Sequence, residues 1–297
     1  MQTFVIEKLR FDSSPIDECD VLATRGGAVT LDVRATRFEP PGVVLEPGQR
    51  ILLRWTGRVF CTCCGKQSPK LFGGFCWNCF NTQAMADACV MAPQNCHYLR
   101  GTCRDPGWGR GFCFQPHCVY LSYTGGLKVG ITRTHQIPVR WIDQGATRAV
   151  MLCLVGSRHQ AGVIESALSR HFSDKTAWAR MLALGNSKPE QEVWDAALAK
   201  IAGLREALGP LDALHVRVSA PPTSPGAGQI KWVPQAAAVD IVYAQALPTK
   251  EPKTQAMEKG GTVGGQLLGF KGQYLLFNEG VFNVRRHEGY EVNLEVS

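Results

Sequence analysis

The chain has 297 residues and lacks any apolar run of about 18 residues, so no membrane-spanning helix and no membrane partner are expected. Its first residues, MQTFVIEKLRFDSS, have no cationic start followed by a long apolar stretch, which argues against a secretion signal and makes a soluble cytoplasmic protein the expectation. There is no Walker loop, no GxGxxG after a strand, no GxSxG elbow and no HExxH. "GGQLLGFKG" is glycine-rich but opens no helix, and reads as a hairpin turn. No repeat of fixed period is present, so a solenoid is not expected.

What is there begins with cysteine. The chain holds 12 of them, and without a secretory signal paired spacings point to metal and not to a disulfide framework. The apolar fraction of 45% is enough for a sizeable core, in one large domain or two to three small ones. The net charge of +7 suits an anionic partner such as nucleic acid.

Patterning gives an α+β class in four parts. Residues 1–57 read as a β region: Val29, Leu31 and Val33 alternate with Thr30, Asp32 and Arg34, and "ILLRW" is a further strand. Residues 58–118 form a cysteine-rich, zinc-ribbon-like segment with too little apolar material for a core of its own. Residues 119–208 form a small α/β domain. Within it, "VMLCLVG" reads as a central strand buried on both faces. "AGVIESALSRHF" reads as a helix with Ile164, Leu168 and Phe172 on one stripe, and 189–208 reads as the longest helix, stopped by Gly209-Pro210. Residues 209–297 are a linker, around "APPTSPGAGQ", and a β region of hairpins that packs on the N-terminal one; "TKEPKTQAMEKGG" is expected to be exposed.

Cys61-x2-Cys64 and Cys76-x2-Cys79 are the strongest motif. Each CxxC turn sets two sulfurs on one side of a tight loop, and two such turns face to face make the tetrahedral sulfur environment zinc prefers. Gly65 permits the turn, and Cys63 is expected to stay outside the site. A second, looser set is Cys89, Cys96, Cys103 and Cys113, with His97 or His117 as substitutes. It predicts either another tetrahedral site or an iron–sulfur cluster. Cys118 and Cys153 fall in strand patterns and are expected in the core.

The hairpin "VYLSYTGGLKVGITR" carries the other candidate site. Sorting the apolar residues onto one face requires an odd-length loop, with Tyr120 opposite Gly130 and Ser122 opposite Lys128. Tyr120 and Lys128 then share a polar face, with Arg140 and Glu165 following on helices. Such a set can hold a phosphodiester, stabilise its charge and anchor a divalent metal.

"VYL…LKVGITR…R…E" resembles the GIY-YIG nuclease superfamily over about 119–173. The resemblance implies a site of Tyr120, Gly130, Arg140 and Glu165, with Lys128 standing where the second motif's tyrosine belongs, and Mg or Mn as the cofactor of a nuclease. "CxxCGK", "GTCRDPGWG", "LKVGITR", "RWIDQGA" and "FNVRRHEGY" are similar to a bacterial family called domain of unknown function 2797, over most of the chain; that resemblance implies no activity.

The expectation is therefore a zinc-containing nucleic-acid-binding protein, contacting RNA or DNA through Arg104, Arg110, Arg133 and Arg148. Its catalytic version cleaves phosphodiesters with Tyr120, Lys128, Arg140 and Glu165. The alternatives are a non-catalytic binder, a nucleic-acid-modifying enzyme using the second cysteine set, and a metal-stapled protein-interaction scaffold.

Overall fold

The computed structural model describes residues 2–13, 29–39, 41–172, 177–208, 230–233, 236–245 and 253–297. Cys19, the stop at Gly209-Pro210 and the linker at 220–229 lie outside them. Strands β1 (Gln2–Val5), β2 (Leu9–Ser13), β3 (Val29–Phe38), β4 (Val43–Leu45) and β5 (Arg50–Val59) precede the cysteine-rich segment. That segment contains helices α1 (Trp77–Thr82), α2 (Ala88–Met91) and α3 (Pro106–Cys113). The central part runs β6 (His117–Tyr123), β7 (Leu127–Arg133), α4 (Val139–Asp143), β8 (Arg148–Val155), α5 (Arg158–Leu168), α6 (Trp178–Ala183) and α7 (Gln191–Leu208). The last part runs β9 (Lys231–Trp232), β10 (Val239–Tyr243), β11 (Thr254–Gln255), α8 (Met257–Gly260), β12 (Thr262–Lys271), β13 (Tyr274–Phe277), β14 (Gly280–Asn283) and β15 (Tyr290–Val296).

Two sheets result. One has the order β1-β15-β5-β12-β13-β14-β11, so the two terminal β regions do pack together. The other has the order β2-β3-β10-β8-β6-β7, with β4 on β3 and β9 on β8. This second sheet runs across the boundaries expected near residues 57, 118 and 208: N-terminal β3 pairs in parallel with β10, and β10 pairs with β8. The α/β part of the chain is thus built into a larger sheet. The physical reason is burial on both faces. β8 has apolar residues on each side and needs a strand neighbour at each edge.

Three layers follow from the alternation of side chains. Val119, Leu121, Val129, Val150 and Leu152 face α5 and α7, where Ile164, Leu168, Trp194 and Ile201 are buried. The opposite face, with Leu31, Val33, Tyr120, Met151 and Ile241, packs on Ile51, Leu53, Phe270 and Phe277 of the other sheet. The helix α5 starts at Arg158, ahead of the apolar stripe, because Ser157 caps it by accepting from Gln160 N (3.3 Å). Met257, expected to be exposed, is fully buried; its N–H donates to His287 Nε2 (3.4 Å). Among the described residues, no helix is long and apolar enough to cross a membrane.

The hairpin has the register that face-sorting requires: Tyr120 pairs with Gly130, Ser122 with Lys128 and Tyr123 with Leu127. Its polar face is not solvated, however. The seven-stranded sheet and α4 cover it, and Tyr120 is fully buried against Trp141 (ring centroids 6.0 Å). Gly130 makes this possible. A Cβ there would lie 2.6 Å from Tyr120 Cζ, so the aromatic ring occupies the space a side chain would take.

Lys271, 1% exposed at the end of β12, donates to the carbonyls of Met181 (2.9 Å) and Gly185. It thereby ties the turn after α6 to the sheet.

Two outcomes are expected. Gly130→Ala forces Tyr120 to move and should lower unfolding free energy by roughly 1–3 kcal/mol in urea melts. Burial pulls the Lys271 pKa from 10.5 down to about 8. The unfolded chain then binds more protons than the folded one between those values, so this group makes stability rise with pH across that window. Urea melts at pH 7.5 and 9.5 should show that rise in the wild type relative to Lys271→Met.

Candidate metal centre and basic cleft

Among the described residues, none from 60 to 116 belongs to a buried apolar cluster. This segment is instead pinned by short backbone bonds. Cys61 N donates to Lys66 O (2.9 Å) and Gly65 N to Cys61 O (2.8 Å), with Gly65 at a φ of +68°, which closes the first knuckle. The second is closed by Phe72 and Phe75, each donating to the other (2.7 and 3.2 Å), and leads into Cys76, the N-cap of α1. Thr62 N donates to Gly74 O (2.9 Å), which holds the knuckles face to face.

The sulfurs of Cys61, Cys64, Cys76 and Cys79 all lie within 4.8 Å of one another, and Cys64 and Cys76 are 3.9 Å apart. A tetrahedral zinc with bonds of about 2.3 Å requires edges of about 3.8 Å. Four thiols and no hard oxygen ligand fit zinc. Cys63 stands outside this group. Burial pushes the Cys61 thiol up, but backbone N–H groups of Cys64, Cys76 and Cys63 outweigh it and bring it to about 6. Burial and the neighbouring thiols push Cys79 up. A metal ion would hold all four as thiolates, so its binding releases protons.

Cys89, Cys96, Cys103 and Cys113 line a single small pocket together with Asp87, His97 and Arg104. His117 is not among them. It is fully buried at the start of β6, and burial lowers its pKa to about 4. Cys118 and Cys153 are buried core residues.

The polar residues of the hairpin face a cleft of about 470 Å³ at the edge of the two sheets. Lys8, Lys128, Arg140 and Arg285 supply its cations and Asp143 its carboxylate. Lys8 pairs with Asp143 (2.9 Å), and Gln273 Nε2 donates to Asp143 (3.0 Å). At the rim, Trp178 stacks on Tyr274 with centroids 6.1 Å apart and an interplanar angle of 15°. Tyr120 does not line the cleft; its hydroxyl donates to Gln144 (2.8 Å), which does. Burial pushes the Tyr120 pKa up; Arg140 opposes that shift and Glu165 adds to it. Arg140 and Lys128 share the cleft, and Glu165 is not among the residues that line it. A buried hydroxyl held by Gln144 is a positioning group and not an exposed base.

The four arginines expected to read phosphates are not gathered in one groove. Arg148 is held bidentately by buried Asp240 (2.7 and 3.1 Å). Arg104 pairs with Asp87 (3.0 Å) and donates to Phe80 O and Gln83 O, bridging the two cysteine sets. Arg133 lies over the Phe112 ring (4.6 Å), and Arg110 reaches the Tyr98 hydroxyl (3.4 Å). Sequence reasoning missed Lys8, Gln144 and Arg285 as cleft residues. Arg285 belongs to "FNVRRHEGY", so one signal was present; Lys8 carried none.

Fold and site define the class: an α+β protein of two packed sheets with a four-cysteine group able to hold a metal ion such as zinc. The model of the family described as "Protein of unknown function (DUF2797)" matches residues 48–292. The chain belongs to that family. No curated protein and no solved structure matches it. The likeness of 119–173 to GIY-YIG nucleases rests on the sequence motif alone.

Cys64→Ser should remove zinc from the first site and lower the melting temperature, read by elemental analysis and thermal melts of wild type and variant side by side.

Proposed function

We propose that the protein is a zinc-stapled nucleic-acid binder, with the inter-sheet cleft as its binding site. The observation that carries this is the cleft's composition: Lys8, Lys128, Arg140 and Arg285 line it, with Lys8 paired to Asp143 and Arg285 to Glu288, and a stacked aromatic pair stands at the rim. Cations spaced along a groove suit successive phosphates, and an aromatic face suits an unpaired base. Trp178, 36% exposed, is available for such stacking. The ribbon contributes by holding together a segment with no apolar core.

Cleavage is the second reading. It is favoured by Arg140 and Gln144 lining the cleft together, with the Tyr120 hydroxyl donating to Gln144 (2.8 Å). Magnesium keeps most of its waters and needs only one or two carboxylates from the protein; Glu165 is the one the sequence motif offers, while Asp143 is the one that lines the cleft. Mg or Mn would there supply charge stabilisation to the phosphodiester. Arg140 would orient the phosphate, and Tyr120 would hold Gln144 toward the cleft.

Fluorescence anisotropy with labelled single-stranded RNA and DNA tests the binding. Affinity should fall steeply with salt. Arg140→Ala should weaken binding roughly tenfold or more and flatten the salt slope by about one. Trp178→Ala should cost about 1–3 kcal/mol at every salt concentration. Salt-independent binding, or none to either polymer, refutes the reading. Glu165→Ala that binds normally but no longer cuts in Mg or Mn supports the catalytic version.

A further inference from the structure

The second cysteine set is built differently from the first. Cys89 lies in α2, Cys96 follows a turn over 93–95, Cys103 precedes α3 and Cys113 ends it. Separate pieces of chain therefore bring four thiols to one pocket. Within 4.8 Å of Cys89 the grouped ligand atoms are those of Asp87 and His97; the other three thiols are not in that group. Asp87 and His97 are already committed. Asp87 accepts from Cys89 N (3.2 Å) and pairs with Arg104 Nε (3.0 Å). His97 contacts Asp87 through Nε2 (3.3 Å) and Thr102 Oγ1 through Nδ1 (2.8 Å). They form the frame of the pocket and leave the thiols as its donors.

A single zinc would draw four sulfurs to edges of about 3.8 Å, as in the first site. This set is wider. A cluster of several irons spreads its thiolates further apart than one ion does.

A second observation concerns charge. Arg158, on α5, donates to Val90 O (2.6 Å), but its buried Nε has no partner. The guanidinium lies over the Phe112 ring (5.7 Å), next to Cys113 in the chain. The guanidinium is half-buried and lies in the field of Cys113 and Glu165, so an anion at the thiols would add to its balance. An iron–sulfur cluster with four thiolate ligands carries net negative charge and supplies one. The module is also seated tightly on α5. A Cβ on Gly162 would lie 2.6 Å from Pro93 Cβ and 2.8 Å from Gln94 N, in the turn that leads to Cys96. The pocket and Arg158 are thus held in fixed register.

We propose that Cys89, Cys96, Cys103 and Cys113 ligate a four-iron, four-sulfide cluster, balanced by Arg158. This site is independent of the nucleic-acid reading, and its failure would leave the cleft untouched.

The test uses the full chain, purified without oxygen and reconstituted with ferric iron, sulfide and a thiol reductant that supplies the two electrons of the mixed-valence core. The expected product is brown, with about four irons and four sulfides per chain beside one zinc. Cys96→Ser and Cys103→Ser should lose the colour and the iron while keeping the zinc. Cys64→Ser should lose zinc and keep iron. Arg158→Gln should keep the cluster but lower its reduction potential, because the nearby positive charge favours the more negative reduced state; this readout is separate from folding. Two zincs and no iron per chain, no iron after reconstitution, or full iron retention in Cys103→Ser would overturn the assignment.

Discussion

The larger sheet has apolar residues on both faces, and neither face can be left in water. Helices α5 and α7 cover one face; the smaller sheet covers the other. This double covering determines most of what is functional. It buries Tyr120, brings α4 down onto the hairpin, and leaves a cleft where the two sheets diverge. Lys271 and the Lys8–Asp143 pair join the layers around that cleft.

The cysteine-rich segment obeys a different constraint. Residues 60–116 contribute nothing to the apolar clusters, so their order rests on backbone knuckles and ion pairs such as Arg104–Asp87, to which the four-cysteine group could add a metal ion such as zinc. Metal binding in such a segment is folding energy, since no preformed site exists in the unfolded chain. The contacts that join it to the body include Phe60 N to Gly289 O at one end, and Arg158 to Val90 O and Gly162 against Pro93 at the other.

Much of the local structure was legible. The CxxC pairs, the hairpin register, the β8 run and the stripes of α5 and α7 all follow from spacing and periodicity, which depend on near neighbours. The candidate site was legible in part. Of Tyr120, Lys128, Arg140 and Glu165, the cleft is lined by Lys128 and Arg140, with Tyr120 bonded to the lining residue Gln144. The roles of Arg148 and Arg104 were not legible. Their partners, Asp240 and Asp87, are apolar-flanked carboxylates whose positions depend on strand order and loop packing. A cation looks the same in sequence whether it faces solvent or a buried acid.

What the sequence alone determined is short-range: which residues lie on which face, where turns occur, and that four cysteines can share one ion. Tertiary structure decided the rest. It chose the parallel pairing of β3 with β10, covered the hairpin's polar face, and brought Lys8 and Arg285 from opposite ends of the chain into one cleft. The physical reason is that periodicity specifies a face to be buried but not the surface that buries it. That surface is selected only when all the apolar faces of the chain compete for one another at once.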